Sequence, residues 1–113
     1  MTTIWHNPRC SKSRQALALL EERGAEITIR RYLDEPPTLA ELQDAQSKLG
    51  LAAKDMIRTG EAVFKEMGLS KSDPDDTLLK AMAEAPKLIE RPVIFSGEKA
   101  VIARPPEKAL DIL

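Results

Sequence analysis

The chain has 113 residues, 42% of them hydrophobic and 31% charged, ordinary proportions for one globular domain with a single modest core. Lys+Arg 17 against Asp+Glu 18 leave a net charge of −1, which argues against nucleic acid as a partner. No apolar run approaches the roughly 20 residues of a membrane span, and Met1-Thr2-Thr3-Ile4-Trp5 has neither the basic nor the apolar region of a signal peptide.

In chain order, Thr2–Trp5 reads as a short strand and Ser11–Arg23 as a helix, with Gly24 as the residue that stops it. Glu26–Arg31 alternates and is rich in β-branched residues, so it is a second strand. Strand, helix, strand in this space is a parallel, right-handed βαβ unit. Thr38 followed by Glu41 is a capping box opening a helix to about Leu49, ended by Gly50. Residues 51–86 contain no convincing strand. Short helices are expected over Ala53–Thr59 and Glu61–Met67, the latter closed by Gly68. Ser72 or Asp73 is the expected N-cap of a further helix, with Pro74 at its first position, running to about Glu84 and halted near Pro86. Met56, Met67 and Met82 are expected to fill gaps between these helices. Pro92–Ser96 and Ala100–Ala103 form an antiparallel hairpin around Ser96-Gly97-Glu98-Lys99, and Pro105-Pro106 start a last helix, Glu107–Leu113. The expected fold is α/β and thioredoxin-like: β-α-β, a helical insert over about 38–86, then β-β-α, with a mixed four-stranded sheet in one domain spanning 1–113.

Residues 5 to 14, Trp5-His6-Asn7-Pro8-Arg9-Cys10-Ser11-Lys12-Ser13-Arg14, hold the only cysteine, histidine and tryptophan. Proline pushes Asn7 away from the α region, so Cys10 falls where a strand ends and a helix begins. There the unpaired N–H groups and the positive end of the helix dipole favour thiolate over thiol. An unperturbed thiol has a pKa of about 8.5, and lowering it by roughly two units takes about 2.7 kcal/mol. A helix terminus supplies about 0.3–1 kcal/mol, so Arg9, Lys12 and Arg14 are needed for the rest. The alternative is a small buried apolar residue, a common fate of free cysteine; the polar and cationic neighbours favour a nucleophile. Ser13 completes Cys-x-x-Ser, and no second cysteine exists to close a disulfide. Any redox cycle therefore takes its second thiol from outside, from glutathione or a partner protein. A lone reduced cysteine with no export signal places the chain in the cytoplasm. One His and one Cys make no plausible zinc site.

Arg91 and Arg104 each precede a proline, at positions that lie at the same end of the hairpin. Arg58 stands at the end of a short helix before Gly60. These arginines are either solvated surface residues or, if they converge on Cys10, a cage of fork donors for a tetrahedral oxyanion. His6 either pairs with the thiol or makes an ordinary hydrogen bond, and an orienting role suits it better than that of general base. Asn7 shapes the turn or donates to the site.

Taken jointly, His6-Asn7-Pro8-Arg9-Cys10 with Ser13-Arg14, Tyr32-Leu33 with Pro36-Pro37-Thr38, Ile57-Arg58, Ile89-Glu90-Arg91-Pro92 and Arg104-Pro105 resemble the glutaredoxin-coupled arsenate reductase family over essentially the whole chain. The resemblance implies a cis peptide at Arg91-Pro92, Cys10 as nucleophile, and Arg58, Arg91 and Arg104 as oxyanion ligands. It implies attack of the thiolate on arsenate, displacement by glutathione, and reduction by glutaredoxin to release arsenite, with no bound cofactor or metal. Ser11-Lys12 stand where the longer reductases commonly have Gly-Thr, so the chain looks most like a short branch of the family. Spx-type regulators share the fold and bind RNA polymerase, but usually carry Cys-x-x-Cys. The competing readings are a glutathione-dependent thiol reductase or transferase acting on another substrate, and a Spx-like protein-binding module using the helical insert.

Overall fold

Strand β1 (Thr2–Trp5) is the one on which the sheet is built, in a computed structural model that describes residues 2–112. It pairs in parallel with β2 (Ile27–Arg30) on one side and antiparallel with β3 (Val93–Ser96) on the other. The last strand, β4 (Lys99–Ile102), pairs antiparallel with β3, giving the order β2-β1-β3-β4. This is the α/β, mixed four-stranded, thioredoxin-like arrangement expected from the order of elements. The hairpin is tighter than expected. Ser96 pairs with Lys99, so only Gly97 and Glu98 form the turn, and Gly97 takes φ +60, a conformation closed to most side chains.

The chain divides into two compact units. The first combines the segment up to Glu35 with the segment from Arg91 onward. In it, helix α1 (Ser11–Glu22) packs its stripe of Ala16 and Leu20 against Ile4 and Ile94, all fully buried. Burying such side chains contributes about 1.5–3 kcal/mol each, which outweighs the weak intrinsic preference of so short a helix. Helix α1 ends as Gly24 predicts: the Gly24 N–H donates to Glu21 O and the Ala25 N–H to Leu20 O. On the sheet, Trp5 and Phe95 lie with ring centroids 4.9 Å apart, and the Arg30 guanidinium stands 5.9 Å over Trp5. The last element is a 3-10 helix, Pro106–Ile112, not the α-helix expected over Glu107–Leu113; Leu113 lies outside the described residues. A segment this short closes tighter i→i+3 bonds, beginning with the Lys108 N–H on Pro105 O.

The second unit is Pro36–Glu90. Helix α2 (Leu39–Leu49) carries the expected capping box, with the Glu41 N–H on Thr38 Oγ1 at 3.1 Å and the Thr38 N–H on Glu41 Oε1 at 3.0 Å. Helix α3 (Ala62–Glu66) is a single short turn, and α4 (Asp75–Glu84) packs on α2 and buries Leu78, Leu79 and Met82. Met56 is buried with them, whereas Met67 is only half-buried.

Two helix expectations are corrected in this unit. Ala53–Thr59 is a 3-10 turn only over Ala53–Asp55. The rest is drawn into an antiparallel bridge between Ile57 and Ile89, flanked by the Arg58 N–H on Leu88 O at 2.7 Å and the Glu90 N–H on Met56 O at 2.8 Å. Arg58 thus stands on a strand-like clip and not at a helix end. Neither Ser72 nor Asp73 caps α4. Pro74 is the N-cap, because Asp73 Oδ2 already accepts from the Ser70 N–H at 2.9 Å. A 3-10 turn over Pro86–Leu88, not expected, follows α4.

Candidate active site

Cys10 is the N-cap residue of α1, in extended conformation with φ −95 and ψ 122. Its carbonyl accepts the first helical bond, from the Arg14 N–H at 3.0 Å. The first-turn N–H groups have no partners inside the helix and gather around the cap position. No acidic residue stands in that turn to compete for them. The thiol is free, and Cys10 as a residue is only 8% exposed. An anion that reaches it meets a helix N-terminus.

The loop before Cys10 is built by its own side chains. The Arg9 N–H donates to Asn7 Oδ1 at 3.0 Å, an Asx turn, and the Cys10 N–H donates to Asn7 O at 3.0 Å. The Arg14 guanidinium reaches back to donate to Pro8 O at 2.9 Å, tying the helix to the loop. Ser13 is fully buried, and its Oγ accepts from the Asn7 N–H at 3.0 Å and shares a 2.6 Å hydrogen bond with His6 Nδ1. One hydroxyl therefore fixes both the ring and the backbone at the start of the loop. Losing it would strand two polar groups at a cost of about 1–3 kcal/mol. Burial first, then the charges of Arg31 and Arg14, hold the His6 imidazole below its ordinary 6.5, so the ring is neutral at pH 7.

The sheet register carries two of the expected arginines to the same end. Trp5 pairs with Val93, and Val93 with Ile102. The residues after Trp5, before Val93 and after Ile102 therefore share one end of the sheet. These are the loop to Cys10, Arg91-Pro92 and Arg104-Pro105. Both of these peptide bonds are cis, where only the first was expected. Arg104 Nη1 donates to Arg91 O at 3.1 Å, so the pair is joined directly. Arg58 belongs to the other unit, where its guanidinium meets Glu61 Oε1 at 2.5 Å and Glu90 Oε1 at 3.8 Å. Beside the Cys10 loop, a cleft of about 420 Å³ is lined by His6, Asn7, Pro8, Arg9, Arg31, Leu33 and Asp34.

Residues 5–112 match the sequence profile of the ArsC family. The chain belongs to the ArsC family. An arsenate reductase of Neisseria meningitidis is 50% identical over 112 residues, covering 97% of this chain and 96% of its own length. The Escherichia coli K12 arsenate reductase is 36% identical, and the match spans 98% of this chain and 79% of that longer protein. The solved structure of an arsenate reductase from Vibrio cholerae is 45% identical with a TM-score of 0.95, covering 99% of this chain and 97% of that one.

In this ArsC-family chain, Cys10, His6, Asn7, Ser13 and Arg14 form one hydrogen-bonded segment, and Arg91 and Arg104 are joined at the same sheet end. Ser13 is expected from the sequence as a supporting residue of the site, but its hydrogen bonds to His6 and Asn7 are not, nor are Glu61 and Glu90 as partners of Arg58. The signal for Ser13 was present: it lies on the buried stripe Ser13-Ala16-Leu20 of α1, where a hydroxyl must find a partner. Arg31 was also missed; it lines the cleft and acts on His6 through its charge.

Proposed function

We propose that this chain reduces arsenate to arsenite, with Cys10 as the nucleophile, glutathione as co-substrate and glutaredoxin as the final reductant. The observation that carries the reading is the position of Cys10, at the N-cap of an acid-free helix turn, on the sheet end shared with Arg91 and Arg104. The arsenate reductase activity named for relatives as similar as 50% identity supports the same reading.

The thiolate attacks arsenic, forming an S–As bond as an arsenate oxygen leaves as water. A glutathione thiolate displaces a second oxygen. Glutaredoxin then takes the glutathione sulfur as a mixed disulfide, and the electron pair of the breaking bond stays on arsenic, so As(V) becomes As(III); water then replaces the Cys10 sulfur on arsenic, which frees arsenite and returns the thiolate. Arg58, Arg91 and Arg104 hold the oxyanion with fork donors and offset its charge as the attack proceeds. His6, Asn7, Ser13 and Arg14 position the loop, and Pro92 shapes the turn beside it. No metal or bound cofactor takes part. The whole chain works as one thioredoxin-like domain, residues 38–86 being its helical insert, and it acts in the cytoplasm.

The test is arsenate-dependent NADPH oxidation with glutathione, glutaredoxin and glutathione reductase, for wild type and Cys10→Ser. Turnover in the wild type that disappears in the variant is the expected result. Equal arsenate-dependent rates in both proteins would remove Cys10 from the reaction, and no turnover in the wild type although Cys10 still alkylates would move the substrate away from arsenate.

A further inference from the structure

Arg58 is held from two sides by carboxylates, each in a different way. The Ile57–Ile89 bridge turns both isoleucines into the buried interior and sets Arg58 and Glu90 diagonally across the clip on its other face. Glu90 Oε1 lies 3.8 Å from Arg58 Nε, beyond hydrogen-bond reach, so it attracts the guanidinium without occupying a donor. Glu61 comes from the turn through Gly60, where its own N–H approaches Arg58 O at 3.5 Å. Its Oε1 is 2.5 Å from Nη1 and occupies one of the terminal fork positions that an oxyanion oxygen would take. An incoming oxyanion must therefore compete with the Glu61 carboxylate for that position, and it gains the contact only when Glu61 gives way. Glu61 has the freedom to do so, with its side chain 30% exposed.

We propose that Glu61 and Glu90 form an exchangeable clamp on Arg58. Glu61 is a stand-in that the substrate oxyanion displaces from Nη1, and Glu90 is the anchor that keeps the guanidinium in place during the exchange. The inference rests on the reading that Arg58 binds the oxyanion. The clamp makes Arg58 selective: an anion gains this contact only if it outcompetes a carboxylate already seated on the guanidinium. Both glutamates are positioning residues, acting through Arg58 and not on arsenic.

The two roles have opposite signatures. Glu61→Gln keeps the size of the side chain and removes its charge, so the KM for arsenate falls roughly three- to tenfold with kcat little changed. Glu90→Gln loosens the anchor, and KM rises by a similar factor. In an Arg58→Gln background the effect of Glu61→Gln disappears. Inorganic phosphate, an inert tetrahedral anion, is titrated calorimetrically against the same variants and follows the same order, tightest for Glu61→Gln. A KM that is unchanged or raised in Glu61→Gln, or glutamate variants that shift affinity in the same direction, overturns the clamp. A wild type that binds phosphate but turns over no arsenate sinks the functional reading alone, and the phosphate affinities still decide the clamp. Phosphate binding to none of the proteins overturns both.

Discussion

His6 owes its neutral state to its surroundings, and that makes the loop before Cys10 sensitive to pH. Its burial and the charges of Arg31 and Arg14 lower its folded pKa below 6.5. Unfolded, the ring titrates at about 6.5. Between the two values the unfolded chain binds more protons than the folded one, so stability rises with pH across that window. It follows that the stability contributed by a neutral His6 is present above about pH 6.5 and is lost as pH falls toward the folded pKa. Urea denaturation at several pH values checks this, with wild type losing more stability on acidification than His6→Gln, which has no ring to protonate. Parallel slopes would refute the argument. At this scale the sequence showed a histidine and a serine seven positions apart, and Cys-x-x-Ser drew attention to the missing thiol. The meaning of Ser13 lay in the helical period, which places it on the buried face of α1 with Ala16 and Leu20. Its partners depend on a turn whose path the period does not describe.

Elements were legible where their ends are set by neighbouring residues. Thr38 with Glu41 marks the start of α2, and Gly50, at φ +67, marks its end. Both signals are local, so nothing distant could override them. The contribution of the box is measurable: Thr38→Ala should cost about 1 kcal/mol in equilibrium urea unfolding. A loss within experimental error would mean that packing of Leu42 and Ala45, and not the cap, holds the helix entry. Elements were misread where a distant segment intervenes. Residues 53–59 have the composition of a helix, but Ile57 pairs with Ile89, some thirty positions later, and no window around Arg58 contains that partner. The start of α4 failed for a shorter-range reason. Asp73 has the chemistry of a cap, but its carboxylate is spent on the Ser70 N–H. The two arginine–proline steps were legible as a pair because a hairpin fixes which residues share an end, and Arg104 on Arg91 O is the outcome.

For the whole molecule, the decisive constraint is the single cysteine. No bond formed at Cys10 can be resolved within the chain, so the proposed cycle has to import its second thiol. Cys10 is a buried residue, 8% exposed, which discriminates between donors. A tripeptide can approach a nearly buried sulfur, whereas the equally buried Cys10 of a second copy cannot meet it without both loops opening. Incubation with arsenate and glutathione, with glutaredoxin left out, should therefore stall with one glutathione-bearing adduct per chain, mapped to Cys10 by non-reducing mass spectrometry. Adding glutaredoxin should clear the adduct and release arsenite in equal amount. Chains joined to one another through Cys10 under the same conditions would instead make a second copy the resolving partner. Glutathione would then be only a bulk reductant, and the loop from His6 to Cys10 would have to open far enough to bring two buried sulfurs together.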